Sequence, residues 1–343
     1  MDKQSARRRF GSLGVLAAAL ALFALLTGCG KASDAKQAGA SAEQPAKPKT
    51  IKLDYAYYNP LSLVLKNQGF LEKQLKSQGI EVQWVLSAGS NKALEYLNSK
   101  SIDFGSTAGA AALLGRANGN PIKAVYVYSK PEWTALVVRA DSNISRAEDL
   151  KGKKIAVTRG TDPHIFLLRI LDKAGLTEKD VEIVQLQHPD GKTALEKGEV
   201  DAWAGLDPYM AQTEVESGSK LVIRDPSLNT YGVLNVREQF ASDYPDLVVE
   251  VLQSYEKARQ WAAEHEAEFK KIVSEESKQT PEVVDKVLER TDLSDFKIGD
   301  VQKQTLQGAG EALLKSGIIP ESTNVTQTID ELIDPQFAAK LTP

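Results

Sequence analysis

From residue 51 to residue 236, short apolar runs alternate with longer amphipathic ones, and this alternation restricts the chain to an α/β architecture. IKLDYAYY reads as a strand. LSLVLKNQGFLEKQLKSQG reads as one helix, its apolar residues spaced by about 3.6 with a glycine near the end. EVQWVLS is a strand, SNKALEYLNSK a helix, SIDFGST a strand, GAAALLGRANG a small-residue helix, and IKAVYVYS and TALVVRA are strands. The rhythm then repeats through KKIAVTR, DPHIFLLRILDKAG, VEIVQLQ, GKTALEKGE, VDAWAG, DPYMAQTEVESG and KLVIRD. Such strand–helix alternation predicts parallel sheets. A local echo supports two lobes of similar topology. In SNKALEYLNSKSIDFGST and in GKTALEKGEVDAWAGLDP, a helix carrying Ala-Leu-Glu precedes Ile-Asp or Val-Asp at the entry of a strand. Beyond residue 236 the segments read as helices, with Thr280 and Thr328 as cap-type residues, and these are expected to wrap the first lobe.

The first residues are a targeting segment rather than part of the fold. Lys3, Arg7, Arg8 and Arg9 form a basic leader, and residues 13–26 are apolar apart from Gly14. That run is shorter than the roughly 20 residues a spanning helix needs. Leu26-Thr27-Gly28-Cys29 resembles the bacterial lipobox, which implies cleavage before Cys29 and a lipid on the new N-terminal cysteine. Residues 1–28 are therefore expected to be a lipoprotein signal peptide, with residues 29–50 a flexible tether free of large apolar side chains. The protein is expected outside the cytoplasm, held to the membrane by Cys29. Cys29 is the only cysteine, so the mature body has neither disulfide nor thiol nucleophile. Without its leader the chain carries 38 basic against 45 acidic side chains, a balance that argues against nucleic acid as a partner. About 290 residues remain, enough for two lobes with separate cores.

Open parallel sheets bind ligands at the carboxyl ends of their strands, where the following helices begin. Four such turns stand out: Tyr58-Asn59-Pro60, Ser106-Thr107-Ala108-Gly109, Gly160-Thr161-Asp162-Pro163-His164 and Leu206-Asp207-Pro208-Tyr209. Asn59, Ser106, Thr107, Thr161, Asp162 and Asp207 are cap-type residues, and three of the turns place Pro near the first helical position. A helix start leaves up to four unpaired N–H donors and about half a positive charge. An anion can be held there without Lys or Arg. The same residues also serve as ordinary helix caps, and both readings stand at this point. Metal and catalytic readings find less support. The chain has three histidines, His164, His188 and His265, and it lacks HxxxH, CxxC, GxSxG, GxGxxG and GxxxxGK[ST]. His188, before Pro189, reads as a loop residue. No metal or cofactor is expected.

YNPLSLVLKNQGFLEKQL, ALEYLNSKSIDFGSTAGAAALL, AEDLKGKKIAVTRGTDPHIFLLRIL and GEVDAWAGLDPY together resemble the aliphatic-sulfonate-binding proteins, substrate-binding components of ABC importers close to the taurine and nitrate binders. The resemblance implies a type II periplasmic-binding-protein fold: two Rossmann-like lobes, a hinge of two crossing strands and a cleft between. The crossings are expected near residues 136–139 and 231–236, with lobe one formed by residues 51–137 and 234–343 and lobe two by residues 138–233. It further implies a sulfonate held by Ser106 and Thr107 from lobe one and by Gly160, Thr161 and Asp162 from lobe two. Tyr58, Asn59, His164, Trp203, Asp207 and Tyr231 would line the remaining cleft. Relatives often carry Glu where this chain has Thr134, which weakens an ammonium-bearing ligand, whereas Asp207 in the cleft could meet a cation or simply cap a helix. The implied partners are a small sulfonate and a membrane permease, with the protein acting as a monomer. Taurine, nitrate or an aromatic sulfonate are the alternative ligands. Aromatic-sulfinate desulfinases on this fold need a cysteine nucleophile, and thiamin-precursor binders carry a run of cysteines; the mature body has none.

Overall fold

The structure, a computed structural model, describes residues 46–341. The expected leader, Cys29 and most of the tether lie outside the described residues. The chain opens with β1 (Thr50–Tyr55), α1 (Pro60–Gln68), α2 (Phe70–Leu75), β2 (Glu81–Leu86), α3 (Ser90–Asn98), β3 (Phe104–Ala108), α4 (Gly109–Ala117) and β4 (Ile122–Pro131). It continues with β5 (Thr134–Val138), β6 (Lys154–Val157), α5 (Asp162–Lys173), β7 (Glu182–Gln185), α6 (His188–Glu196), β8 (Ala202–Leu206), α7 (Tyr209–Ser217) and β9 (Lys220–Ile223). The last part holds β10 (Gly232–Arg237), α8 (Glu238–Asp243), α9 (Pro245–Glu264), α10 (Glu266–Ser277), α11 (Pro281–Glu289), β11 (Thr291–Asp292), α12 (Asp300–Lys315) and α13 (Val325–Leu332). The single helix expected after β1 is two. Gly69 adopts φ 60°, a left-handed conformation that closes α1 and that a glycine takes without steric penalty.

The strands form a six-stranded sheet, ordered β11-β4-β10-β3-β1-β2, and a five-stranded sheet, ordered β7-β6-β8-β5-β9. The expectation of purely parallel sheets is corrected. β10 runs antiparallel to β3 and β4, and β5 runs antiparallel to β8 and β9. These two strands are the ones that arrive from the other sheet. A chain leaving one sheet at the carboxyl end of a strand enters the next sheet at the end where its other strands finish, so it must run the opposite way. The passages lie at Glu132 and Trp133, between β4 and β5, and at residues 224–231, between β9 and β10. The expected boundary at residue 137 therefore falls inside β5, whose residues from Thr134 onward pair with β8.

Each sheet has its own core. Ile51, Leu53, Phe104, Tyr126 and Leu234 are buried with α1, α4, α9 and α12 about the first sheet. The second is covered on one face by Phe166, Leu167 and Ile170 of α5 and on the other by a cluster of Trp203, Ala194, Leu195 and Met210 beneath α6 and α7. The helical tail does more than wrap the first sheet. α12 packs on both α4 and α5, and α11 packs on α7.

Gly232, the first residue of β10, lies flat against Tyr128 and Ser129. A Cβ there would stand 2.6 Å from Tyr128 Cζ and 2.7 Å from Ser129 Oγ. Overpacking of this kind is expected to make Gly232→Ala less stable by about 1–3 kcal/mol, read as a lower urea midpoint at unchanged slope.

Candidate functional site

The carboxyl ends of β2, β6 and β7 bring three helix starts together between the sheets. α3 begins at Ser90 after Gly89, α5 at Asp162 after Thr161, and α6 at His188 after Gln187. The elements meet closely. A Cβ on Gly160 would lie 3.7 Å from Cβ of Asn91, and a Cβ on Gly89 would lie 2.8 Å from Asn91 Oδ1 and 3.1 Å from His188 Nε2. Gly160 has φ 76°, the left-handed turn that sets the backbone of Thr161 and Asp162 into position. The N–H groups of Ser90, Asn91, Thr161 and Asp162 have no acceptor among the described residues. They are the first donors of two helices facing one another, and both helix dipoles present their positive ends to the gap. A groove of 280 Å³ between α3 and α4 opens onto this junction, with Asn91 and Gly160 on its edge.

Most side chains expected to hold or line a ligand are engaged inside the protein instead. Ser106 is buried, and its N–H and hydroxyl both donate to Asp54, at 2.8 and 2.9 Å. Asn59 donates to Ser106 Oγ at 2.8 Å and caps α1 by accepting from Ser62 N–H. The Tyr58 hydroxyl donates to the Ser106 carbonyl, and its ring meets Trp133 edge-on. Thr107 Oγ1 accepts from Asn235 at 2.8 Å. The α4 start is partly closed, since Gly109 N–H donates to the Tyr231 carbonyl and Ala110 N–H to Thr230 Oγ1.

On the other side of the gap, the Thr161 hydroxyl donates to the Thr158 carbonyl at 2.6 Å rather than capping its helix. The Asp162 carboxylate turns toward the crossovers. It accepts from Trp133 Nε1 at 2.9 Å, from Thr230 N–H at 3.0 Å and from the Thr230 hydroxyl at 2.7 Å. Burial pushes its carboxyl up, and these three donors oppose that rise. Its contribution to an anion site is its backbone donor alone.

Two further expectations, for Trp203 and for Asp207 as a cleft residue, are corrected. Trp203 is fully buried under α6 in the second sheet's core and does not line the gap. Asp207 meets no open cleft; of its two readings the helix cap holds, because its Oδ1 accepts from Ala211 N–H in the first turn of α7 at 3.0 Å. Arg290, from the end of α11, binds both of its oxygens at 2.7 and 3.1 Å and also reaches Glu214. Both partners are almost wholly buried, so the pair ties the tail to the second sheet. The Tyr231 ring sits under Lys130 and borders a 640 Å³ cavity between the crossovers and α12, together with Arg169 and Arg290. His164 is buried with Nε2 3.1 Å from Glu178, as a wall of the α5 turn.

A family model described as NMT1/THI5 like matches residues 63–269. The chain belongs to that family. A protein of Bacillus subtilis (strain 168) named for aliphatic-sulfonate binding is 29% identical over 91% of this chain and 92% of its own length. A second protein so named, from Escherichia coli (strain K12), is 31% identical over 54% of this chain and 58% of its own. The alkanesulfonate-binding protein of Xanthomonas axonopodis pv. citri, solved with MOPS bound, superposes with a TM-score of 0.76 at 24% identity, covering 83% of this chain and 99% of that one. The superposition establishes the periplasmic-binding-protein architecture for this member of the family.

Two groups at the junction are not among the site residues expected from sequence, the Gly89–Asn91 turn and His188. His188 is not a loop residue. It is the fully buried first residue of α6, and Gln187-His188-Pro189 repeats the pattern of a polar residue before Pro seen at Asn59-Pro60 and Asp162-Pro163. The Gly89 turn has no Pro, and its Ser90 side chain accepts from Ala108 N–H, which fastens α3 to the end of β3.

Burial also marks Asp54, whose carboxyl is pushed up to about 6 against the pull of the Ser106 N–H and hydroxyl. Between about pH 4 and pH 6 the native state keeps a proton that the unfolded chain has released, so this group lowers stability as pH rises through that window. Asp54→Asn removes the titration. Its stability relative to the parent is expected to rise by about 2–3 kcal/mol between pH 4 and pH 7, measured as urea unfolding of both proteins across that range.

Proposed function

We propose that this chain is the substrate-binding component of an ABC importer that captures an aliphatic sulfonate between its two sheets and delivers it to a membrane permease. The observation that carries the reading is the facing pair of helix starts, α3 and α5, with four N–H donors that have no acceptor among the described residues, in an acidic protein. A sulfonate spreads one negative charge over three oxygens, and converging backbone donors suit that shape without a formal cation. The names of the Bacillus subtilis and Escherichia coli relatives support the same ligand class. Among the described residues no helix is long and apolar enough to cross a membrane. The periplasmic location of the solved aliphatic-sulphonate-binding protein of Escherichia coli and the Leu26–Cys29 motif support a lipid-anchored protein outside the cytoplasm.

The magnitudes are sufficient. Micromolar affinity requires about 8 kcal/mol. Two helix starts supply about 0.3–2 kcal/mol each, and hydrogen bonds to a charged group about 1.5–3 kcal/mol each. Each buried CH₂ of the tail adds about 0.8 kcal/mol, and lost motion subtracts several. On this reading, residues up to Pro131 and from Gly232 form one lobe, and residues 134–223 form the other. A ligand touching both helix starts favours their approach, and the permease reads the closed form.

The test is calorimetric titration of the protein, unfolded and refolded to strip carried-over ligand, with ethanesulfonate to octanesulfonate, sulfate, nitrate and matched carboxylates. Micromolar or tighter binding of sulfonates, with carboxylates of equal length at least about tenfold weaker, is expected. Absence of binding by every sulfonate would overturn the reading.

A further inference from the structure

Behind the crossovers the fold holds a cation that makes no ion pair among the described residues. Arg169, in the third turn of α5, is half-buried, and its Nη1 donates to the Leu228 carbonyl at 3.1 Å. The rest of its N–H fork has no acceptor among the described residues. Each carboxylate nearby is committed elsewhere. Asp162 accepts from Trp133 and Thr230, Asp225 meets Lys173 at 2.7 Å, and Glu132 holds Arg224 with both oxygens, at 2.7 and 2.8 Å. Burial pushes the guanidinium down from its ordinary value, and the pull of Asp162 and Asp225 does not offset that. α12 makes room for it with Gly308, where a Cβ would stand 3.3 Å from Arg169 Nη2.

Arg169 opens into the 640 Å³ cavity, which Lys130, Tyr231 and Gln304 also line. Lys130 makes no ion pair among the described residues, and its Nζ stands 6.0 Å from the centre of the Tyr231 ring. Glu289 and Asp292, on the cavity's edge, are exposed, where water and salt screen them. A charge held partly out of water is unfavourable until a counter-ion meets it. The sheet orders put this cavity and the gap on opposite sides of the crossovers. In the first sheet the gap lies at edge strand β2, through α3, and the cavity at the other edge, along β4 and β11. In the second the gap lies at β6 and β7, and the cavity beside the ends of β5 and β9, where the chain crosses. α5 serves both: its first N–H groups face the gap, and Arg169 lies about 10 Å along the same axis.

We infer that the cavity behind the crossovers is a second binding site, for a small organic carboxylate, and that its occupant tightens sulfonate capture by holding the gap closed. The planar fork of Arg169 matches a carboxylate through two parallel hydrogen bonds. The facing turns already stand close across the gap while the cavity behind is open, which is the closed arrangement of a lever with the crossovers as its fulcrum. Parting the gap about that fulcrum brings the cavity walls together. An anion between Arg169 of one lobe and Lys130 and Gln304 of the other fits while those walls stand apart, so it favours the closed form. Sulfonate and carboxylate then raise each other's affinity by the same factor. This coupling rests on the sulfonate reading; the site itself rests on Arg169 and its cavity.

The experiment titrates the protein with sodium succinate by calorimetry at constant ionic strength, then with ethanesulfonate in the absence and presence of saturating succinate. Succinate is expected to bind, and ethanesulfonate to bind at least about fivefold more tightly in its presence. Arg169→Met should lose succinate binding and the enhancement, and keep the affinity for ethanesulfonate measured without succinate. Gln304→Glu, an exposed change that places a carboxylate in the cavity, should also weaken succinate, and it decides should the methionine variant fail to fold. No binding of succinate by the parent, or binding unaltered in these variants, overturns the inference. So does succinate that leaves ethanesulfonate affinity unchanged or lowers it, the latter being the sign of competition for the helix starts. If no sulfonate binds in any arm, the functional reading fails. Succinate binding lost in Arg169→Met then still supports the site, and binding retained there still overturns it.

Discussion

The carboxylate of Asp162 is the point at which both crossovers of the chain meet. Trp133 belongs to the first passage between the sheets and Thr230 to the second, and both donate to it. The same residue opens α5, one of the helices whose free N–H groups face the gap. Thr230 extends the linkage, because its hydroxyl oxygen also accepts from Ala110 N–H at the start of α4. One unbroken line of hydrogen bonds therefore runs from a helix start beside the first sheet, through a crossover, to a helix start beside the second. Losing the carboxylate would leave a buried indole N–H, an amide and a hydroxyl to find other partners, each at a penalty of about 1–3 kcal/mol. A movement of either sheet against the other must pass through this knot.

The arrangement separates construction from recognition. Polar side chains at the strand ends build the frame: Ser106 and Asn59 close on Asp54, Thr161 on Thr158, and Asp207 on Arg290. With those side chains engaged, the groups left to meet a ligand are mainly backbone donors. This is how a protein with an acidic balance can accommodate an anion. The field comes from peptide dipoles fixed by the fold, with no mobile cation needed.

The alternation of apolar runs made the strands and helices legible, and the glycine, cap and proline residues of the 160–163 turn marked a helix start that the structure places at the gap. Strand direction was not legible for β5 and β10. It depends on where the chain changes sheets, which no local pattern encodes. Nor could sequence say which way a polar side chain turns. Ser106 has the right identity for an anion donor, yet burial beside Asp54 gives its hydroxyl a better acceptor inside, and the Asp162 carboxylate, itself an acceptor, turns to Trp133 and Thr230. Trp203 was misread because an aromatic at a strand end suits a cleft wall and a core equally well, and the glycine at 191 makes room for it under α6. His188 reads as a loop residue from sequence although the Pro after it is a helix-start signal.

The central claim is that backbone donors on both sides of the gap hold the anion together. Its most direct test is the amide region of a nitrogen-15 correlation spectrum during titration with ethanesulfonate. The account predicts downfield proton shifts for Ser90 and Asn91 on one side and for Thr161 and Asp162 on the other, all saturating with a single affinity. Shifts confined to one side of the gap, or none at these four amides while the ligand binds, would contradict it.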